Sequence, residues 1–125
     1  MTKGIKNELI AVIAIIQSSL SRQFGLSDDC DPNIIIGGVS AANASAHYSP
    51  ARNELAFRPS MIWQGTIAHE LAHWLQFHLE GDTDCLVSSA TDNDGLQFRH
   101  DVLQKQIREH MKGCGWENEI DRIMG

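Results

Sequence analysis

The stretch His69-Glu70-Leu71-Ala72-His73 decides how the rest of this 125-residue chain is organised. Two imidazoles four positions apart share one face of a helix, so both can reach the same metal ion. Glu70 lies one position round the helix from His69, where its carboxylate can touch a water at the ion without binding the ion itself. The spacing therefore predicts two metal ligands, His69 and His73, and one general base, Glu70.

The motif lies on a helix that the sequence predicts from Ser60, as the N-cap after Pro59, to about Leu79. Positions 100° apart divide this helix into an apolar side, on which both tryptophans are predicted to be core residues, and a side that carries the metal ligands. Gly65, one turn before His69, is hypothesised to leave room for a strand or a substrate to approach. The apolar side consists of Trp63, Ile67, Leu71, Trp74 and His78, and the opposite side of Gly65, His69, Ala72, His73 and Gln76.

Around this helix the sequence predicts an α+β fold in a single domain, residues 1–125. Apolar residues at spacings of three and four predict an N-terminal helix, and a β-branched run bounded by glycines predicts a short buried strand. The fold class is an N-terminal helix, a small antiparallel sheet with a hairpin, the motif helix and further C-terminal helices. The predicted elements are a helix over 4–24, a strand over 34–36, a hairpin of 46–48 with 54–57, and helices over 96–111 and 116–124.

Composition and charge exclude several classes of function. The net charge is -6, so direct binding to nucleic acid or to an anionic membrane is not expected. The apolar run from Leu9 to Ile16 is far too short to span a bilayer. Three cysteines, Cys30, Cys85 and Cys114, are an odd number without C-x-x-C spacing. They argue against a disulfide framework and a zinc ribbon, and they predict a reducing, cytoplasmic location.

A catalytic zinc usually takes three protein ligands, so a third must be found beyond the two histidines. The metzincin continuation requires a glycine at position 76 and a histidine at position 79, whereas this chain has Gln76 and Leu79. That class is excluded, and the third ligand has to come from further along the chain.

The run from Thr66 to His73, preceded by a predicted hairpin and followed by Asp94-Gly95-Leu96-Gln97-Phe98, resembles the SprT-like (Spartan-type) metallopeptidases over about residues 46–110. In that family the second motif commonly reads His-Gly-x-x-Phe, and its histidine is the third zinc ligand. This chain has Asp94 at that position, and a carboxylate is an acceptable zinc ligand. The resemblance favours Asp94 as the third ligand, and His100 is the alternative.

The resemblance implies a zincin-like fold and a zinc-dependent metalloendopeptidase that acts on a protein or peptide. Zn²⁺ would polarise the scissile carbonyl and acidify the attacking water, while Glu70 takes the proton. Tyr48 is predicted to line the substrate cleft and to donate to the oxyanion, unless it only packs. The alternative function is a catalytically inactive zinc-binding or protein-interaction module of the same fold. The substrate and the oligomeric state stay open.

Overall fold

The computed structural model describes residues 1–39, 44–80 and 99–124, which form four helices and one three-stranded sheet. The α+β class is confirmed. In chain order the described elements are α1 (Lys3–Phe24), β1 (Asn33–Ile36), β2 (Ala46–Ser49), β3 (Glu54–Phe57), α2 (Gln64–Glu80), α3 (His100–Gly113) and α4 (Trp116–Met124).

The first helix, α1, forms where the apolar spacing predicts it. The Thr2 hydroxyl accepts a hydrogen bond from the Ile5 N–H at 3.2 Å and caps the start. Gly25 ends the helix in the left-handed conformation, with φ at 71°. Most apolar residues at these spacings are buried, and Leu9, Val12, Ile13, Ile16, Leu20 and Phe24 belong to the core.

The sheet is mixed rather than antiparallel, which corrects the sequence-based expectation. The hairpin of β2 with β3 is antiparallel as predicted, but β1 pairs with β3 in parallel, and the strand order is β1-β3-β2. The central strand β3 is the most buried of the three, with Leu55, Ala56 and Phe57 all in the core.

The motif helix α2 begins later than the sequence predicts. Residues Pro59–Met61 form a separate 3₁₀ turn, and α2 starts at Gln64. Proline at the start of the turn fits a helical opening, but the chain is extended at Ile62 before α2 begins. Trp63 therefore lies outside the helical periodicity, and it is 56% exposed instead of lying in the core. Trp74, which lies within α2, is fully buried as predicted.

The C-terminal helices complete the core. α3 packs along α2 and buries Leu103, Ile107 and Met111, and α4 packs against α1 and α3 through Ile120 and Ile123. The predicted beginning of α3, at Leu96, lies outside the described residues. Within the described residues no helix is both long and apolar enough to cross a membrane.

The cysteines differ from the sequence-based expectation. Cys30 is disulfide-bonded, whereas Cys114 carries a free, exposed thiol. An odd number of cysteines leaves at least one thiol free, but it does not prevent the others from pairing. The disulfide therefore removes the premise from which a reducing location was predicted.

Candidate metal centre

Three imidazoles meet at the front of α2. The ligand atoms of His69, His73 and His100 all lie within 4.8 Å of one another. The Nε2 atoms of His69 and His73 are 3.2 Å apart. The ring of His100 lies 4.0 Å from the ring of His73 and 4.4 Å from that of His69, measured between centroids. The two motif histidines and one histidine of α3 therefore form a single cluster.

The packing of α2 against α3 places these side chains. His69 and His73 are one turn apart on α2, and His100 begins α3. His100, at the start of α3, faces His73. Further along α3, Gln104 contacts His69 and Arg108 lies over Trp63, so residues later in α3 contact residues earlier in α2 and just before it. The two helices are thus antiparallel, and the i, i+4 spacing on each brings one face of α3 onto the ligand face of α2.

The cluster fits a zinc ion. Two imidazole nitrogens that bind one tetrahedral zinc at about 2.0–2.1 Å lie about 3.3–3.4 Å apart. The Nε2 atoms of His69 and His73 are already close to that separation, at 3.2 Å. The 4.8 Å limit for the whole cluster exceeds it by about 1.4 Å, a distance that rotation of one partly exposed ring can cover. Three neutral nitrogens leave a fourth position for water, as in catalytic rather than structural zinc sites.

Hydrogen bonds around the cluster suit metal binding. The Nδ1 atom of His69 lies 3.4 Å from the Gln104 side-chain oxygen. A proton on Nδ1 donates to this oxygen and leaves the Nε2 lone pair for the metal. The Nε2 atom of His100 lies 3.0 Å from the main-chain carbonyl oxygen of His69. If the Nε2–H of a neutral His100 donates to this carbonyl, the lone pair on Nδ1 remains available to bind a metal.

The motif carboxylate is buried beside the histidines. Glu70 is only 6% exposed, and its Oε1 lies 4.0 Å from Nε2 of His69. It accepts a hydrogen bond from the Tyr48 main-chain N–H, but Oε2 is buried without a hydrogen-bond partner among the described residues. Burial raises the pKa of the Glu70 carboxyl, while His69 and His47 oppose the rise. A buried carboxylate oxygen with no internal partner is costly for the fold, and it is available to a water or a substrate.

His73 is held in its neutral form. Burial, together with the neighbouring His100, His69 and His47, lowers the pKa of His73 to about 4. An imidazole must be neutral to bind a metal, so His73 is ready to do so throughout the neutral pH range. His47, on β2, is exposed and contributes to the electrostatics of both His73 and Glu70 without belonging to the three-histidine cluster.

Two cavities open on either side of Glu70. We call the first, of about 450 Å³, the Trp63 pocket; Glu70, His69, Trp63 and Arg108 are among the residues that line it. The second, of about 390 Å³, is lined by Glu70 and His73 together with His47, Tyr48 and Phe77. Ala46 of β2 also borders both cavities. The carboxylate therefore lies at the junction of two hollows that follow the edge strand β2.

Tyr48 is buried next to this site. Its hydroxyl donates to the Asn53 side-chain oxygen at 2.7 Å and lies 3.5 Å from Nε2 of His78. Burial raises the pKa of the Tyr48 phenol to about 12. The main-chain N–H of Tyr48, rather than its hydroxyl, contacts the motif carboxylate. Donation by the hydroxyl to an oxyanion stays a prediction, and it requires the hydroxyl to leave Asn53.

Asp94 and His100 are the two candidates for the third ligand. Asp94, which the resemblance favours, lies outside the described residues. The described residues bring His100, the alternative, to His69 and His73. Gln104 and Arg108 were not predicted as site residues. They follow His100 at i+4 and i+8, so the face of α3 that carries His100 also carries them. That spacing was the available signal.

Comparison of the chain with protein-family models, with curated proteins and with solved structures finds no match in any of the three.

Proposed function

We propose that the protein is a zinc-dependent peptidase in which His69, His73 and His100 hold the ion and Glu70 is the general base. The observation that carries the proposal is the meeting of three imidazole ligands with a buried carboxylate whose Oε2 has no partner among the described residues. A zinc ion held there would act as a Lewis acid on a peptide carbonyl and on a water. The resemblance of the motif to SprT-like metallopeptidases points to the same chemistry.

Glu70 is suited to accept a proton and to pass it on. Its raised pKa makes it a stronger base than an exposed glutamate, and bases work best when their pKa approaches the working pH. The Tyr48 N–H holds the carboxylate in place, while Oε2 has no donor among the described residues. After taking the proton of the attacking water, the carboxyl group can return it to the leaving amine.

The surroundings of Glu70 suit an extended peptide. β2 is an edge strand, and among the described residues only β3 pairs with it. Apart from the Tyr48 N–H, which donates to Glu70, the main-chain groups along its other edge can pair with a substrate strand. The hollows on both sides of Glu70 would then receive the side chains before and after the bond to be cut.

The experiment that tests the proposal compares the zinc-loaded parent with Glu70→Gln on an unfolded protein substrate. Glutamine keeps the shape of the side chain but cannot take a proton. We expect zinc content to stay at one ion per chain and fragment formation to fall by about a hundredfold or more. Glu80→Gln, an exposed position on the same helix, is the matched control and should cleave like the parent.

The fragments are counted by mass spectrometry, with and without a chelator. Equal cleavage by Glu70→Gln and the parent would show that Glu70 is not the base. Stoichiometric zinc without any metal-dependent fragments would favour the alternative, an inactive zinc-binding module.

A further inference from the structure

The Trp63 pocket carries a cation and an exposed aromatic ring beside the proposed reaction site. We propose that it binds a carboxylate of the substrate, supplied by an aspartate or glutamate side chain or by the substrate's own C-terminus. Arg108 would be the residue that recognises it, with Trp63 as the wall against which the substrate packs. The inference rests on the proposed peptidase function, because it assigns a substrate class to the same site.

Arg108 has hydrogen-bonding capacity left for a ligand. Its Nε donates to the Glu117 side-chain oxygen at 3.2 Å, and the side chain remains 38% exposed. Among the described residues, no hydrogen-bond acceptor engages its two terminal amino groups. A guanidinium presents its N–H donors in a planar fork that matches the two oxygens of a carboxylate. Glu117 therefore anchors the Nε edge of Arg108, and Arg108 is among the residues that line the pocket.

Trp63 is an exposed ring that is nonetheless held in place. The indole is 56% exposed, which leaves a large apolar surface in water. It lies across Gly65 so closely that a Cβ there would be 2.4 Å from Cη2 of the indole. The guanidinium carbon of Arg108 is 5.8 Å from the ring, within the range of a cation–π contact. The Trp63 ring occupies the space that a side chain at Gly65 would fill. Gly65 also lines the pocket, so the sequence-based hypothesis that it leaves room for a strand or a substrate stays a prediction.

The position of the pocket links carboxylate recognition to cleavage. His69, Glu70 and Gln104 line the same hollow as Arg108. Arg108 follows Gln104 by one helical turn, a rise of about 6 Å along α3. A peptide whose scissile bond lies at Glu70 would place a neighbouring residue in this hollow. A carboxylate on that residue then reaches the guanidinium.

Directed hydrogen bonds, rather than long-range attraction, would provide the recognition. The chain carries a net charge of -6, and Glu117 formally neutralises Arg108. Electrostatic steering of acidic substrates is therefore not expected. The preference should depend on the guanidinium fork itself, which makes Arg108→Lys an informative variant because it keeps the charge and removes the fork.

The test measures peptide binding without cleavage, in the zinc-loaded Glu70→Gln protein. Three fluorescent decapeptides with amidated C-termini differ only in their central residue, which is glutamate, glutamine or leucine. A fourth peptide has glutamine at the centre and a free C-terminus. We expect one of the two carboxylate peptides to bind about tenfold more tightly than the amidated glutamine peptide, measured by fluorescence anisotropy. The central-glutamate and free-C-terminus peptides distinguish the two sources of the carboxylate.

Substitutions then assign the preference to Arg108. Arg108→Gln should abolish it and Arg108→Lys should reduce it. Arg122→Gln, an exposed arginine of α4 that pairs with Glu119, should leave it unchanged. Thermal unfolding of each variant verifies that it is folded. Equal binding of the carboxylate and glutamine peptides, or equal weakening of all four peptides by Arg108→Gln, would overturn the inference.

Cleavage separates this inference from the proposed function. If the zinc-loaded parent cuts all four peptides at equal rates, the peptidase function is supported and carboxylate recognition is contradicted. If it cuts none while the binding preference persists, carboxylate recognition is supported and the peptidase function is contradicted.

Discussion

Replacing His100 by asparagine should remove most of the stabilisation that zinc gives to the folded protein. At a zinc concentration of one hundred times the parent's Kd, bound zinc adds about 2.7 kcal/mol to the free energy of unfolding. An unfolding entropy of about 2.1 cal/mol/K per residue gives about 0.26 kcal/mol/K for 125 residues. The midpoint of thermal unfolding should therefore rise by about 10 °C in the parent.

Loss of one of three protein ligands should weaken binding more than the tenfold to hundredfold effect typical of groups that only support a ligand. A hundredfold weaker Kd leaves about 0.4 kcal/mol at the same zinc concentration, and a midpoint shift below about 2 °C. His47→Asn is the matched control, because His47 lies near the same groups but outside the cluster. It should keep most of the 10 °C shift.

The assay is thermal unfolding by circular dichroism with and without zinc, after treatment with a chelator. Asp94→Asn belongs in the same series, since the resemblance favours Asp94 as the third ligand. Refutation would be a full zinc-dependent shift in His100→Asn. If Asp94→Asn lost the shift in the same experiment, the third ligand would be assigned to Asp94.

Two further predictions concern Gly65 and His73. Gly65→Ala should change the free energy of unfolding by less than about 1 kcal/mol, because the gain in helix propensity offsets the displacement of the exposed Trp63 ring. It should also change the fluorescence of Trp63, and a larger loss of stability in urea unfolding would contradict the prediction. The pKa of His73 is lowered to about 4, so in the metal-free protein the stability it contributes is present above about pH 6.5 and is lost as pH falls from there towards 4. The free energy of unfolding should change by less than about 1.4 kcal/mol per pH unit, since solvent screens a partly exposed ring. His73→Gln should reduce this slope, measured by urea unfolding at several pH values. An equal slope in both proteins would contradict the assignment.

The helices were predictable from the sequence because their burial is periodic. The stripe through Leu9, Ile13 and Leu20 extends over about three helical turns, so the environment of α1 follows from spacing alone. The parallel pairing of β1 with β3 was not predictable in this way. A short run such as Ile34-Ile35-Ile36 indicates a strand but carries no information on the direction of its partner. That direction depends on which strands pair in the folded chain, and the residues of the run do not determine it.

At the site, the motif itself was sufficient to place His69 and His73 together on one face of α2, because i, i+4 geometry needs no tertiary information. The pocket residues depend on the packing of two helices. Trp63 was assigned to the core by extending a helical period one residue beyond the start of α2. Arg108 becomes a site residue only through the antiparallel register of α3 on α2.

The most direct test of the metal centre is a crystal structure of the zinc-loaded protein, with anomalous scattering recorded on both sides of the zinc absorption edge. We expect one zinc peak with nitrogen atoms of His69, His73 and His100 at about 2.0–2.1 Å, and the Glu70 carboxylate nearby but not bound to the ion. A zinc ion that lacks His100 as a ligand, or no peak at the His69 and His73 pair, would contradict it.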